Sequence, residues 1–257
     1  PDFCIWIPER IYQENGGRLE AAYDALPETY RGYQRSSSRQ TLIRRGIMTV
    51  EGFYRKYTGI LHIPADTREW FQIPQGFLSV ATNGAVFEDP YGEFTRRREY
   101  LLAYYPEDVI RKKLAAKTVA MAQAGQYNYV RCCRRGEWES AYLAGGEFVR
   151  AALSVIYLLN KKYMPFYKWA FRGMETLTEL RNAAVDLKAF VRLEDSSKNA
   201  VQKRILIESI CNEIVCELRK KGYSTSNGDF LEPHGNSIMS GIQDDWLRSL
   251  HVMADYG

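Results

Sequence analysis

The sequence lacks every short motif that would by itself identify a catalytic site. It has no G-x-x-x-x-G-K-[ST] phosphate loop, no G-x-G-x-x-G fingerprint, no H-E-x-x-H helix and no G-x-S-x-G elbow. A Gly-Ser turn followed by Asp-x-Asp, the pattern of metal-dependent nucleotidyl transfer, is absent as well. Any function must therefore be carried by residues spread along the chain, and the sequence predicts no individual catalytic residue.

Histidine and cysteine are too few and too scattered to predict a zinc site or a disulfide framework. The three histidines have no metal-ligand spacing, and the five cysteines, an odd number, form no C-x-x-C pair. Unpaired cysteines are typical of reducing compartments, so we expect an intracellular, cytoplasmic protein. The residues concerned are His62, His234 and His251, with Cys4, Cys132, Cys133, Cys211 and Cys216.

No apolar run reaches the roughly 18 residues of a membrane span. The longest, Ala151–Leu159, lies between Arg150 and Lys161, which favours a core helix and no membrane association. Nothing resembles a signal peptide. The chain begins at Pro1 rather than at Met, so we expect it to be a piece of a longer protein.

The composition is that of an ordinary globular protein with a small excess of positive charge. Of the 257 residues, 46% are hydrophobic and 26% charged, and 35 basic against 31 acidic side chains give a net charge of +4. This length suffices for one large domain or two small ones. The charge suits a phosphate-bearing ligand or RNA, and equally suits proteins that bind neither.

Residues 1–95 combine the patterns of strands and helices. Phe3–Pro8 is a short apolar run ended by proline, which predicts a buried strand. Gly17–Pro27 predicts a short helix, and the stretch G-I-M-T-V-E-G-F-Y-R-K-Y predicts a strand that turns helical. Gly84–Thr95 predicts a hairpin around its D-P-Y-G turn. Together these elements predict a small, incomplete α/β unit.

Residues 96–257 consist of longer helical patterns. The run that ends before Gly222, for example, has Ile207, Ile210 and Ile214 at helical spacing. Five or six such helices with short links predict an antiparallel bundle. The sequence thus predicts an α+β protein with one domain at 1–95 and a helical domain at 96–257.

The stretch L-N-K-K-Y-M-P-F-Y-K-W-A-F-R combines four cations and five aromatic rings with one proline. We expect Pro165 to end or kink one helix and to start the next. Lys168 and Arg172 are four residues apart and so share a helix face, which would suit an anionic ligand such as a triphosphate. The alternative is a packed corner between two helices, with a core of Leu158, Tyr163, Phe166 and Trp169.

Other polar and basic residues give further candidates. Gln126, Asn128 and Arg131 lie beside two tyrosines after a helix end, which indicates either the lining of a polar site or local capping. Arginine can bind phosphate with two parallel hydrogen bonds, and lysine supplies a point charge. The basic runs Arg96–Arg98 and Arg111–Lys113 are interpreted as solvated helix faces.

Six segments, in this order along the chain, together resemble one known family. They are PDFCIWIPERIY, GGRLEAAYDALPETYRGY, RRGIMTVEGFY, TNGAVFEDPYGEFTRRREYLLAYYPEDV, GQYNYVRCCRRGE and LLNKKYMPFYKWAFR. They resemble bacterial nucleotidyltransferase-like proteins, in which a nucleotidyltransferase domain is followed by a helical domain of unknown function. The resemblance covers nearly the whole chain and implies an incomplete polymerase-β-like nucleotidyltransferase unit followed by the helical bundle.

The resemblance implies transfer of a nucleoside monophosphate from a nucleoside triphosphate to an unknown acceptor, with Mg²⁺. The acceptor would be a small hydroxylated or amino compound, a protein side chain or RNA. It also implies that the Gly-Ser turn and the Asp-x-Asp pair lie upstream of Pro1, and that Glu51 is the nearest candidate for a third metal-binding carboxylate. The alternative is a non-catalytic helical module that binds a nucleotide, RNA or a protein. Ligand contacts are assigned to Lys168, Arg172, Arg131, Gln126 and Asn128.

Overall fold

The computed structural model describes residues 4–34 and 46–256, and it is mostly helical with few strands, as in the predicted α+β class. A π-helix (Ala122–Tyr129) joins α6 to α7, and a 3₁₀ turn (Met174–Thr176) follows α9. The elements are β1 (Cys4–Ile7), α1 (Glu9–Asp24), β2 (Thr29–Tyr30), β3 (Tyr33–Gln34), β4 (Gly46–Thr49), α2 (Val50–Thr58), α3 (Thr67–Gln72), α4 (Gln75–Thr82), α5 (Glu93–Leu102), α6 (Glu107–Met121), α7 (Val130–Arg135), α8 (Trp138–Leu159), α9 (Tyr167–Gly173), α10 (Arg181–Arg192), α11 (Ala200–Lys220), α12 (Leu231–Ser240) and α13 (Asp245–Ser249).

The chain divides into two compact units. The first comprises Pro1–Pro64 and Val80–Ala103, and the second comprises Ala65–Ser79 and Tyr104–Gly257. Helix α4 therefore begins in the second unit and ends in the first. The predicted domains, 1–95 and 96–257, stay a prediction.

The first unit is built on a parallel pair of strands, β1 and β4, with aromatic packing on one side. Trp6 of β1 stacks on Phe94 with ring centroids 4.5 Å apart and meets Phe53 edge-on at 5.0 Å. At the end of β4 the Thr49 hydroxyl accepts a hydrogen bond from the Gly52 amide at 3.0 Å, which caps α2. The strand predicted within Phe3–Pro8 is confirmed as Cys4–Ile7, although its residues are half-buried rather than buried. The predicted strand-to-helix switch is also confirmed.

The hairpin predicted at Gly84–Thr95 is wrong. Residues 85–90 contain no strand, and α5 follows the turn. The turn itself exists, because the Gly92 amide donates to the Asp89 carbonyl at 3.0 Å. The Asp89 carboxylate also accepts a hydrogen bond from the amide of Thr95, in the first turn of α5, at 2.7 Å. The acidic side chain thus stabilises the start of a helix, where backbone amides are unpaired.

The second unit is a set of helices packed around α6 and α8. The second half of α8, Ala151–Leu159, is buried, as predicted for a core helix. Among the residues that the structure describes, α8 is the one helix long and apolar enough to cross a membrane, and 61% of its apolar window is buried inside the protein, as in core helices of soluble proteins. Gly235 lets α12 approach α6 closely, since a Cβ there would lie 2.4 Å from a methyl group of Val119.

The predicted core at the corner between α8 and α9 is only half correct. Leu158 and Tyr163 are buried, as expected. Phe166 and Trp169 are 42% and 48% exposed, so their assignment to the core is wrong. Pro165 does not end α8, but lies in the connection shortly before α9. The aromatic residues after this proline therefore form part of a surface.

The interpretation of Arg111–Lys113 as a solvated helix face is also wrong for two of its members. Lys112 and Lys113 are fully buried in α6. The cause lies in the surroundings of the helix, because α3, α8, α12 and α13 all pack against α6. Adjacent residues on a helix so enclosed cannot all reach solvent.

Candidate functional site

The parallel strands of the first unit end at one shared edge. Ile7 at the end of β1 is paired with Thr49 at the end of β4. Helices α1 and α2 begin directly beyond these residues, at Glu9 and Val50. In open sheets with parallel strands, ligands bind beyond the carboxyl ends, where helix N-termini favour anions. This edge is therefore the position in the first unit best suited to an anionic ligand.

A cavity of about 390 Å³ lies at this edge. The start of α1 forms one wall, and the turn into α5 forms another. Gly92 has a φ of 68°, in the left-handed region, which lets the chain turn immediately before α5. The volume falls within the usual range for small-ligand sites. The lining includes Pro8, Arg10, Tyr91, Gly92, Glu93 and Arg96.

Two arginines give this cavity its positive charge. Arg10 is exposed and pairs with Glu14 on its own helix, with Nη1 and Oε1 3.3 Å apart. Arg96 is exposed, and its guanidinium makes no hydrogen bond or ion pair within the described part of the chain. The acidic neighbour Glu93 is held by Arg97 at 3.2 Å, which offsets its charge. Both lining arginines are thus available to phosphate oxygens.

Glu51, the predicted metal ligand, stands in the first turn of α2 at the same edge of the strands. Its Oε2 is buried and has no hydrogen-bond partner, which leaves an uncompensated acceptor there. One carboxylate is too little for Mg²⁺, which requires a near-octahedral set of oxygen ligands. Residues 4–34 and 46–256 contain no group of three side chains able to hold a metal ion. These residues therefore do not fit a complete magnesium site.

Gln126 is a structural anchor of the second unit. Its Nε2 donates to Glu208 Oε2 at 2.9 Å and to the Asp229 carbonyl at 3.0 Å. Its Oε1 accepts a hydrogen bond from the Leu231 amide at 2.9 Å. These bonds tie the π-helix to the connection that leads into α12. These partners are 82 to 105 residues away in sequence, so the bonds are tertiary contacts and not the local capping considered as the alternative.

Asn128 and Arg131 lie on the solvent side of the same helical segment. The Arg131 guanidinium lies 4.8 Å from the Tyr127 ring centroid and also donates a hydrogen bond to the Tyr127 hydroxyl. All three side chains are exposed. π-Helical turns recur at functional sites because they displace side chains from the regular helical pattern. This surface offers a cation, a phenol and an amide to a polar ligand.

Lys168 and Arg172 lie on either side of Trp169 on α9. The Lys168 ammonium is 5.8 Å and the Arg172 guanidinium 5.7 Å from the Trp169 ring. Tyr167 beside them is 89% exposed. The surface of α9 therefore presents two cations and two aromatic rings to solvent, an arrangement suited to stacking on a planar, negatively charged ligand.

The predicted ligand-binding residues do not form one cluster. Among the described residues, no hydrogen bond, ion pair or ring contact joins the pair on α9 to the π-helix or α7 candidates. Sequence reasoning missed Arg10 and Arg96 of the first-unit cavity. The available signal for Arg10 was its place just after the proline that ends a predicted strand, whereas nothing distinguished Arg96 from its neighbours.

Comparison with known proteins identifies one region of the chain. Residues 70–170 match the model of a domain of unknown function, DUF4037. This region runs from α3 into α9 and includes Arg96, Gln126, Asn128, Arg131 and Lys168 among the candidate residues. No curated protein and no solved structure matches the chain.

Proposed function

We propose that the chain belongs to a nucleotidyltransferase that transfers a nucleoside monophosphate from a nucleoside triphosphate to an unknown acceptor. The observation that carries the proposal is the cavity at the carboxyl ends of the parallel strands, with Arg10 and Arg96 in its lining. In this reaction an acceptor oxygen or nitrogen attacks the α-phosphorus. The bond to the bridging oxygen breaks, pyrophosphate leaves, and the acceptor proton passes to solvent or a base.

Each lining residue has a binding role in this proposal. Arg10 and Arg96 hold the β- and γ-phosphates, because guanidinium groups match phosphate oxygens in geometry and charge. The N-termini of α1 and α5 add favourable backbone dipoles. Tyr91, 73% exposed at the cavity, provides a ring on which the base can stack.

The second unit carries the ligand contacts predicted from the sequence, and these are candidates separate from the first-unit cavity. Lys168 and Arg172 remain the predicted phosphate ligands, and Asn128 and Arg131 remain polar contacts for the ligand. Gln126 acts on this surface indirectly, by holding the π-helix to the connection before α12.

Magnesium belongs to the proposal only through the family resemblance. Glu51 offers one buried carboxylate oxygen, and the described residues do not complete a magnesium site around it. Because the sequence has an odd number of cysteines and no C-x-x-C pair, we place the activity in a reducing compartment, the cytoplasm.

The second candidate function is a non-catalytic module that binds a nucleotide, RNA or a protein. The exposed rings and cations of α9 favour it, because single-stranded nucleic acids stack on such surfaces. RNA binding of this kind would weaken steeply as salt rises, since phosphate contacts release counterions.

A thermal-unfolding series with ATP, GTP, CTP and UTP, each with and without Mg²⁺, tests the proposal. A ligand that binds only the folded state raises Tm, so we expect an increase with at least one nucleotide. The double variant Arg10→Gln/Arg96→Gln should lose the increase, and Arg55→Gln, an exposed change on α2, should keep it. Pyrophosphate release with trial acceptors then tests transfer.

Three results would count against the proposed site. An unchanged Tm with every nucleotide would show that this chain alone has no nucleotide-binding site. An increase that survives the double arginine variant but is lost in Lys168→Gln/Arg172→Gln would move binding to α9 and favour the non-catalytic module. Salt-sensitive binding of single-stranded RNA without any nucleotide effect would favour the same alternative.

A further inference from the structure

Three lysines of α6 face one segment, His251–Tyr256, inside the second unit. Lys112 and Lys113 have no exposed side-chain surface, and Lys117 is only 18% exposed. Lysine is almost never fully buried unless it is paired, because removing an ammonium group from water is costly. Two adjacent buried lysines therefore need compensation from their surroundings.

Lys112 is compensated by carbonyl groups of the facing segment. Its Nζ donates three hydrogen bonds of 2.9 Å, to the carbonyl oxygens of His251, Val252 and Ala254. All three ammonium hydrogens are thereby used. Carbonyl dipoles satisfy these donors but leave the full positive charge of Lys112 unneutralised.

Lys113 and Lys117 share a single carboxylate, that of Asp255. Lys113 Nζ lies 3.0 Å from Oδ1 and Lys117 Nζ lies 2.8 Å from Oδ2. The second contact is an ion pair without hydrogen-bond alignment, so Oδ2 is buried without an aligned donor. The rest of the Lys113 ammonium faces the rings of Phe71 at 4.9 Å and Tyr105 at 5.5 Å.

The charges of this cluster do not balance. Three ammonium groups meet one carboxylate, and Asp255 is their one acidic partner in the described part of the chain. The aromatic residues around Lys113 carry no compensating anion, since burial raises the pKa of the Tyr105 hydroxyl well above its ordinary value. Asp255 contacts Lys113 and Lys117 but not Lys112, so one carboxylate serves two of the three ammonium groups.

We propose that Lys112, Lys113 and Lys117 form a binding site for a phosphate group, which in this structure is occupied by the segment His251–Tyr256, through its carbonyl oxygens at Lys112 and the Asp255 carboxylate at Lys113 and Lys117. A phosphate carries a charge of about −1.5 to −2 and three terminal oxygens, so it fits three ammonium groups better than a carboxylate does. The segment and a phosphate-bearing ligand then compete for the lysines. Binding of the ligand releases the segment.

Hydrogen exchange on the wild-type protein tests this competition directly. The Ala254 amide donates to the His251 carbonyl at 2.8 Å and the Met253 amide to His251 Nδ1 at 3.3 Å, so both report on the segment. We expect saturating inorganic pyrophosphate or ATP to accelerate their exchange about tenfold, because displacement opens these bonds. Sodium chloride of equal ionic strength should not.

Two variants separate this site from the first-unit cavity. Lys117→Gln changes the least buried of the three lysines and should abolish the response to the anion, whereas Lys162→Gln, an exposed change, should preserve it. Arg10→Gln/Arg96→Gln should preserve it too, since those residues line the other cavity. The proposed function and this site can therefore fail independently.

Comparing pyrophosphate with ATP also shows whether the site binds a phosphate group alone or requires a nucleotide. Acceleration by pyrophosphate and ATP alike supports a site for the phosphate group itself, and acceleration by ATP alone supports a nucleotide site. Unchanged exchange with both anions, an equal effect of sodium chloride, or a response that persists in Lys117→Gln would each overturn the proposal.

Discussion

Two runs of three basic residues, Arg96–Arg98 on α5 and Arg111–Lys113 on α6, look alike in the sequence and differ in the structure. On α5, Arg97 donates to the Leu61 carbonyl, Arg98 donates to the Gly84 carbonyl, and Arg96 stays exposed at a cavity. On α6, two of the three side chains are buried completely. A run of basic residues in a sequence therefore does not indicate whether their side chains are exposed or buried.

The difference comes from how much of each helix is covered. Only Phe94 and Leu101 are buried on α5, so its arginines reach outward or extend along the surface to nearby carbonyls. Four helices pack against α6, and its buried lysines depend on the segment His251–Tyr256 for partners. Lys112 and Lys113 can be buried on α6 because backbone carbonyl oxygens bind the first ammonium group and the Asp255 carboxylate pairs with the second.

The largest effect should come from Asp255→Asn in the second unit. The change leaves the buried Lys113 and the partly buried Lys117 without their counterion, and we expect a loss of about 3–5 kcal/mol in the free energy of unfolding. Urea unfolding followed by tryptophan fluorescence measures it, with Trp70 and Trp246 as reporters in this unit. Asp245→Asn, an exposed change in α13, should alter stability little. A loss below about 1 kcal/mol would contradict the buried-charge explanation.

The pH dependence of stability should be the next largest effect. Burial lowers the pKa of Lys112 from 10.5 to about 8, with Asp255 opposing the shift and Lys113 adding to it. Between these values the unfolded chain binds more protons than the folded protein, so stability rises with pH in this window. From about pH 7.5 to about pH 9.5 we expect Lys112 to contribute a gain of about 2 kcal/mol, which the raised pKa values of buried thiols such as Cys211 partly offset in the wild type.

Urea unfolding at several pH values checks this gain. Lys112→Met should remove most of it, because the variant has no ammonium group to deprotonate at that position. Lys162→Met, at an exposed position, should retain it. An identical pH dependence of stability in the wild type and in Lys112→Met would contradict the lowered pKa.

Local sequence patterns correctly predicted the features that depend on residues close together in the sequence. The apolar run at Cys4–Ile7 and the switch after Thr49 were correct, because a strand pattern and a helix cap lie within a few residues. The D-P-Y-G turn was also correct. The strands expected around it were wrong, because Asp89 instead holds the start of α5 through the Thr95 amide.

Contacts distant in sequence were beyond such patterns. The burial of Lys112 and Lys113 depends on carbonyls and a carboxylate far along the chain, and no periodicity shows that such a segment will cover them. For the same reason the exposure of Trp169 could not be read from its helical spacing. Glu51, named through the family resemblance as a candidate metal ligand, stays a prediction. The cavity lined by Arg10 and Arg96 was not predicted, because it depends on residues about 80 positions apart in the sequence.

A smaller effect should separate Arg97 from its neighbour in the α5 run. Arg97→Ala removes the bond to the Leu61 carbonyl, the pair with Glu93 and the contact with the Tyr54 ring, and we expect a loss of about 1.5–3 kcal/mol. Hydrogen exchange of first-unit amides measures the local stability. If Arg97→Ala and Arg96→Ala have equal effects, the distinction within the run is wrong.

The smallest effect on stability should come from Arg96→Gln, which makes this variant the most informative about ligand binding. Its side chain has no partner among the described residues, so the free energy of unfolding should change by less than about 0.5 kcal/mol. If Arg96 binds phosphate, the nucleotide-induced rise in Tm should nevertheless shrink, as calorimetry with and without nucleoside triphosphate would show. A residue whose substitution leaves the free energy of unfolding unchanged but weakens nucleotide binding is a ligand contact. An unchanged nucleotide effect would instead make Arg96 a solvated charge, as its run in the sequence first indicated.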